Sequence, residues 1–222
     1  MRITPRSALI TRLFVHAISL SGWAAPLPGR RWWTKCWPSG FQDKRSKTVA
    51  LTLSGDARDS LLSAGLTNWS LAWTHGDLDL GRVADALSAD LAGLKTQGRF
   101  NHANLAFVRI QDLPGDFSLF GRISGQWTNE NLDSSEEFTL GGPYGVRAWP
   151  VGEGRGDLGL LGTAELRYDA PVPAWLGQVQ LAGFVDGGRV RVNENPHGVA
   201  AANACGCNTY RLAGAGLPAR WT

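Results

Sequence analysis

The chain has 222 residues, enough for one or two domains, and its net charge of +3 with 18% charged residues does not suggest a nucleic-acid partner. Glycine (28) and tryptophan (10) are abundant, yet they punctuate apolar runs and form no low-complexity tract. No apolar run approaches the ~18–20 residues of a membrane-spanning helix. The three cysteines, Cys36, Cys205 and Cys207, lack the second ligand pair that a zinc site needs, so no metal or other cofactor is expected.

In chain order, residues 1–47 read as an atypical leader. Arg2, Arg6 and Arg12 precede an apolar run that ends in Ala24 and Ala25, the outline of a secretory signal, although His16, Ser19 and Ser21 interrupt it. From Arg30 to Lys47 basic residues interleave with Trp32, Trp33 and Trp37 without helical or strand period, which favours a poorly ordered or non-native segment.

From Thr48 the pattern alternates. Thr48–Ser54 sets Val49, Leu51 and Leu53 against polar or small neighbours, and a linker at 55–65 follows. Leu66–Leu80 carries Trp69, Leu71 and Trp73 on one face. The loop 81–98 has a helical period in Val83, Leu87, Leu91 and Leu94. Arg99–Gln111 turns Leu105 and Phe107 one way, and Leu113–Asp116 is a tight turn. Phe117–Trp127 alternates most cleanly, with Phe117, Leu119, Ile123 and Trp127 on one face and Ser118, Arg122, Ser124 and Gln126 on the other. Further strands are expected at 158–169, 178–192 and 209–217.

These strands run to about 10–15 residues, longer than the ~5–6 of soluble sheets and enough to cross a bilayer at a tilt. One face is apolar and the other carries Ser, Thr, Gln, Glu and Arg, which a dry core would not tolerate. Short connections (113–116, 170–177) alternate with long ones (81–98, 128–157, 193–208), the asymmetry of short periplasmic turns and long outer loops. The fold class is therefore all-β, an antiparallel transmembrane β-barrel over 48–222. A soluble β-sandwich binding module is the alternative.

The longest loop holds Leu140-Gly-Gly-Pro-Tyr-Gly-Val-Arg-Ala-Trp-Pro150. An arginine in such a glycine-rich tip presents a fixed fork of donors suited to a carboxylate. Strand parity supplies candidates. In 178–192, Val179, Leu181 and Val185 share the apolar face, so Phe184 and Asp186 face the lumen, and Gly187 and Gly188 leave room for a second backbone. Glu165 and Arg167 also face inward. Arg147 could fold back onto Asp186. Asp186 could equally be held by Arg189, Arg191 or water.

No Gly-x-Ser-x-Gly, His-Glu-x-x-His or phosphate loop is present, the four histidines are scattered, and Glu136–Glu137 reads as a solvated loop pair, so no enzyme and no catalytic residue is expected.

Leu140–Trp149 together with Phe184-Val-Asp-Gly-Gly188 resembles the haemolysin secretion/activation family (ShlB/FhaC/HecB-like), the TpsB-type transporters of two-partner secretion. Asn131–Phe138 and Glu165–Asp169 add to the likeness, which spans about Thr48 to Leu217. The resemblance implies a bacterial outer-membrane barrel of about 16 strands, preceded by periplasmic POTRA domains. Such a barrel sits in outer-membrane lipid and exports a large haemolysin or adhesin partner without ATP. It implies that Val146, Arg147, Ala148 and Trp149 form an in-folded loop lock whose arginine meets Asp186, with Phe184 and Gly188 flanking it on the wall. Ala148 and Trp149 stand where the family has Gly and Tyr, and Ala148 does not readily take φ > 0. About seven strands are expected here, too few to close such a barrel, which points to a truncated or frame-disrupted product. An insertase of the same superfamily is the alternative activity.

Overall fold

The computed structural model describes residues 10–21, by backbone alone, and 44–222 apart from 202 and 204. Its elements in chain order are strands β1 (Ile10–Ser21), β2 (Arg45–Asp59) and β3 (Gly65–Asp79), helix α1 (Ala84–Ala92), and strands β4 (Gly98–Asp112) and β5 (Phe117–Thr128). Two short strands follow in the central loop, β6 (Phe138–Thr139) and β7 (Arg155–Gly156). Then come β8 (Leu158–Ala170), a 3₁₀ turn (Ala174–Leu176), β9 (Val179–Arg191), β10 (Thr209–Gly216) and β11 (Ala219–Trp221).

The long strands form one antiparallel sheet in the order β1-β2-β3-β4-β5-β8-β9-β10, with β11 also on β9. Neighbours in sequence are neighbours in space, the up-and-down meander of a barrel wall. Among the described residues β1 and β10 do not pair with each other, so the barrel is not closed. No described helix is long and apolar enough to cross a membrane.

Three boundaries differ from the sequence reading, each for a local reason. The stretch from Gly55 is not a linker, because β2 continues to Asp59. Gly55 reads as a breaker, but its missing side chain is replaced by the Trp69 ring, which a Cβ there would meet at 3.0 Å. The last strand does not stop at Leu217: Pro218, which has no N–H to give, interrupts it, and β11 resumes opposite Val179–Leu181. Ile10–Ser21, the apolar part of the leader, lies antiparallel to β2. The rest of the leader reading, at 1–9 and 22–43, lies outside the described residues.

The two faces follow the predicted parity. Leu51, Leu71, Trp73, Phe107, Leu119, Ile123, Leu160, Leu166, Leu181 and Val185 are exposed on one face. The register aligns them in rows: Leu53, Leu71, Leu105, Gly125 and Leu160 stand side by side from β2 to β8. Such a belt is stable only against lipid, since it would otherwise leave a large apolar patch in water. The buried apolar residues lie elsewhere, where loops cover the polar face. Leu78, Leu80, Phe100 and Leu132 form one cluster, against which Leu87 of α1 packs, while Leu91 stays exposed. Leu140, Val146, Leu161, Val190 and Leu212 form the other.

The face assignment predicts an asymmetric response to charge. Ile123→Arg, near the middle of β5 on the belt, should destabilise the folded chain in lipid vesicles by about 2–4 kcal/mol. Ser70→Arg on the opposite face should change stability by less than about 1 kcal/mol. Urea titration of the chain folded into vesicles measures both.

Candidate functional site

Residues 138–156 leave β5 and return to β8 as a compact loop. Phe138–Thr139 pairs with Arg155–Gly156 at its base. At its tip the Val146 N–H donates to Leu140 O at 2.8 Å, a closure that needs Gly145, where a Cβ would fall 1.9 Å from Leu140 O. Leu140 and Val146 are fully buried against Leu161, Val190 and Leu212, so the loop lies on the polar face of β8, β9 and β10. The space left by Gly188 is filled by the Leu140 side chain. Trp149 Nε1 donates to Ala213 O at 3.0 Å, the Tyr210 hydroxyl bonds to Glu153, and Arg122 Nη1 donates to Tyr144 O at 3.0 Å.

This packing delivers Arg147 to the wall. Its Nε and Nη2 donate to the two oxygens of Asp186 at 2.9 and 3.0 Å, and its own backbone N–H donates to Asp186 Oδ2 at 3.1 Å. Nη1 reaches Glu165 Oε2 at 2.7 Å. The guanidinium carbon lies 3.4 Å from the centroid of the Phe184 ring, so one face of the cation rests on an aromatic surface. Asp186 and Glu165 are 4% and 2% exposed. Carboxylates so removed from water require partners of this kind. Glu165 Oε1 accepts from Arg167 Nε at 2.8 Å and from Arg220 Nη2 at 3.2 Å, and Arg167 in turn lies 4.7 Å over the Phe120 ring.

Val146, Arg147, Ala148 and Trp149 of the loop, Phe184, Asp186 and Gly188 of β9, and Glu165 and Arg167 of β8 thus lie together on the polar face. Arg189 and Arg191, the other candidate partners of Asp186, are on the apolar face, as their odd-numbered register requires. Ala148 does not take positive φ, and its methyl sits where Gly214 has no side chain: a Cβ at Gly214 would meet Ala148 Cβ at 2.7 Å. The departure from glycine at Ala148 is thereby accommodated across the contact. Arg220 was missed because the strand was expected to end before it.

A second constellation was also missed. Asn131 Nδ2 donates to Leu94 O and Asn195 O at 2.6 and 2.7 Å, and its Oδ1 accepts from Asn195 N at 2.7 Å. Asp157, 1% exposed, accepts from Leu132 N at 3.0 Å and Glu194 N at 2.8 Å. Two side chains thus clasp three long loops, those after α1, β5 and β9. Asn131 does fall within the stretch that carried the family likeness. Glu136 is not simply solvated, because its Oε2 lies 3.2 Å from Nε2 of His102, a buried residue on the polar face. Cys205 and Cys207 are joined in a disulfide on the exposed 193–208 loop. Among the described residues no group of side chains could hold a metal ion.

A wall of long antiparallel strands with an apolar outer belt, and a loop fixed to its polar face by arginine, defines a β-barrel protein of the bacterial outer membrane. The profile of the haemolysin secretion/activation protein family ShlB/FhaC/HecB matches residues 42–217, and the chain belongs to that family. It is 29% identical over 132 residues to the heme/hemopexin transporter protein HuxB of Haemophilus influenzae (strain Rd), a match covering 60% of this chain and 23% of that protein. It is 26% identical over 156 residues to the outer membrane transporter CdiB of Dickeya dadantii (strain 3937), covering 70% of this chain and 27% of that one. The chain spans about a quarter of the length of these relatives. No solved structure matches it significantly.

The loop clasp carries a pH signature. Burial, aided by the nearby Glu137 and Glu194 and opposed by its two N–H donors, pushes the Asp157 carboxyl up from 3.8 to about 6. The folded state then holds the proton more tightly than the unfolded one. The clasp should be most stable below about pH 4 and lose up to about 3 kcal/mol as pH rises through 6. Limited proteolysis of the 129–137 and 193–208 loops across this range should show the trend, and Asp157→Asn, which cannot ionise, should flatten it.

Proposed function

We propose that this chain forms part of the wall of an outer-membrane pore through which a secreted partner passes as an extended polypeptide. In this reading the 138–156 loop is folded into the lumen and Arg147, bound to Asp186 and Glu165, is the lock that holds it. The partner is a large secreted protein of the haemolysin or adhesin type. The relatives support the transport reading by their names, HuxB as a heme/hemopexin transporter protein and CdiB as an outer membrane transporter. The observation that carries the lock is the fourfold attachment of Arg147: three hydrogen bonds to Asp186 and one to Glu165.

No step of this mechanism makes or breaks a covalent bond. The wall supplies a polar surface along which a peptide can slide, and its charges at Arg147, Glu165, Arg167 and Asp186 are already paired with one another. The partner's folding outside the cell supplies the direction. A bidentate guanidinium–carboxylate contact suits a latch because it is geometrically specific and yet exchangeable for water. Removing one member leaves the others with uncompensated charge, at a cost of about 2 kcal/mol once the quarter-exposed arginine is allowed for.

The test is partner export by a full-length family member altered at the position of Arg147. Alanine there should reduce export at least about tenfold with the barrel still assembled, and lysine should restore only part of it, since a point charge cannot make the bidentate contact. Undiminished export by the alanine variant would refute the lock.

A further inference from the structure

Among the described residues, arginines on the lipid-facing side of the sheet bond to an acid or stand opposite one in the strand register, with one exception. Arg109 donates from Nη1 and Nη2 to the two carboxylate oxygens of Asp59 at 2.9 and 3.0 Å. Arg99 stands opposite Asp77 and Arg45 opposite Asp79 in the strand register. Arg191 is paired with Glu194 at 3.0 Å. Arg189 of β9 and Arg211 of β10, however, stand directly opposite each other. Both are exposed, and neither side chain has a hydrogen bond or an ion pair among the described residues.

Opposed residues of an antiparallel pair hold their Cβ atoms about 4.5–5.5 Å apart, and like charges so placed repel. The repulsion is stronger here than on a wet surface, because the same row continues through Leu160, Gly125 and Leu105 into the apolar belt. Just below the pair, Gly162 and Gly187 stand opposite each other and leave a hollow bounded by Ile123 and Leu160, a groove of about 470 Å3. Trp127 is exposed one row further out, on the same face. The pair lies near the ends of β9 and β10 that lead into the long 193–208 loop, opposite to the end with the short turns. Tryptophan at this level marks the boundary between acyl chains and headgroups.

We propose that Arg189 and Arg211 form a binding site for the phosphate of an outer-leaflet glycolipid, with its acyl chains lying in the groove over Gly162 and Gly187 against Ile123 and Leu160. Two guanidinium forks carried by facing residues of adjacent strands suit a phosphate dianion, and its charge turns a repulsive pair into a favourable one. The apolar hollow beneath selects a lipid over a free anion. The site rests on the orientation of the sheet in the membrane and is independent of the secretion lock on the opposite face.

The test uses the full chain folded in zwitterionic detergent micelles, with native mass spectrometry after addition of diphosphoryl lipid A, phosphatidylcholine or inorganic phosphate. Lipid A should be retained, phosphatidylcholine at least about tenfold less, and millimolar phosphate should not displace lipid A. Arg189→Gln with Arg211→Gln should weaken lipid A binding at least about tenfold, whereas Arg82→Gln, in an exposed loop, should leave it unchanged. Arg211→Asp guards against misfolding: it places a carboxylate opposite Arg189, so it should abolish lipid A binding and raise the melting temperature of the lipid-free chain. Equal retention of phosphatidylcholine, displacement by inorganic phosphate, or undiminished lipid A binding by either arginine variant would overturn the proposal.

Discussion

Asp186 and Glu165 stand on the polar face of the sheet, on adjacent strands, almost without access to water. Three separate segments bring guanidinium groups to their oxygens: the 138–156 loop brings Arg147, β8 brings Arg167, and β11 brings Arg220. A buried carboxylate without such partners would cost several kcal/mol, so each segment is constrained by the others. The loop closure at Gly145, the hollow at Gly188 that accepts Leu140, and the contact of Ala148 with Gly214 all serve to bring one cation to one place. The apolar cluster around Val146 contributes the burial, and the arginine contributes the register.

The same sheet solves a different problem on each side. Toward lipid it presents aligned rows of Leu, Ile, Val and Trp, and most of its charged residues there are matched across strands. On the polar face it carries hydroxyls, amides and charged groups, and loops cover part of them. Asn131 and Asp157 hold those covering loops to one another and not to the wall, so the clasp and the lock are separate devices. The clasp depends on pH through one carboxylate. The lock depends on hydrogen-bond geometry that a guanidinium keeps over the whole physiological range.

Much of this was legible from residue order because strands have a period of two. Once Val179, Leu181 and Val185 mark the lipid side of β9, Phe184 and Asp186 must face the other way, and so must Glu165 and Arg167 on β8. The meeting of Arg147 with Asp186 needed more than parity, since a loop of this length has many possible rests. The glycine-rich tip and the likeness to a known family pointed to it. Arg220 and the Asn131–Asp157 clasp were hidden for physical reasons. Pro218 reads as a strand terminator although the strand resumes beyond it. The clasp joins residues 64 positions apart through backbone groups, which leave no trace in side-chain pattern. Gly55 misled in the same manner, because the ring that covers it belongs to the next strand.

The central claim is that the loop rests on the wall with its tip at β9 and β10. Cysteines replacing Ala148 and Gly214 test it most directly, since the residues are far apart in sequence while their Cβ positions lie 2.7 Å apart, so that a shift of the loop tip by about 1 Å brings them to disulfide distance. In outer membranes treated with a mild oxidant the account predicts a disulfide between them that is lost on reduction and is much diminished when Asp186 is also changed to Ala. Two thiols that stay free and label independently under the same conditions would contradict it.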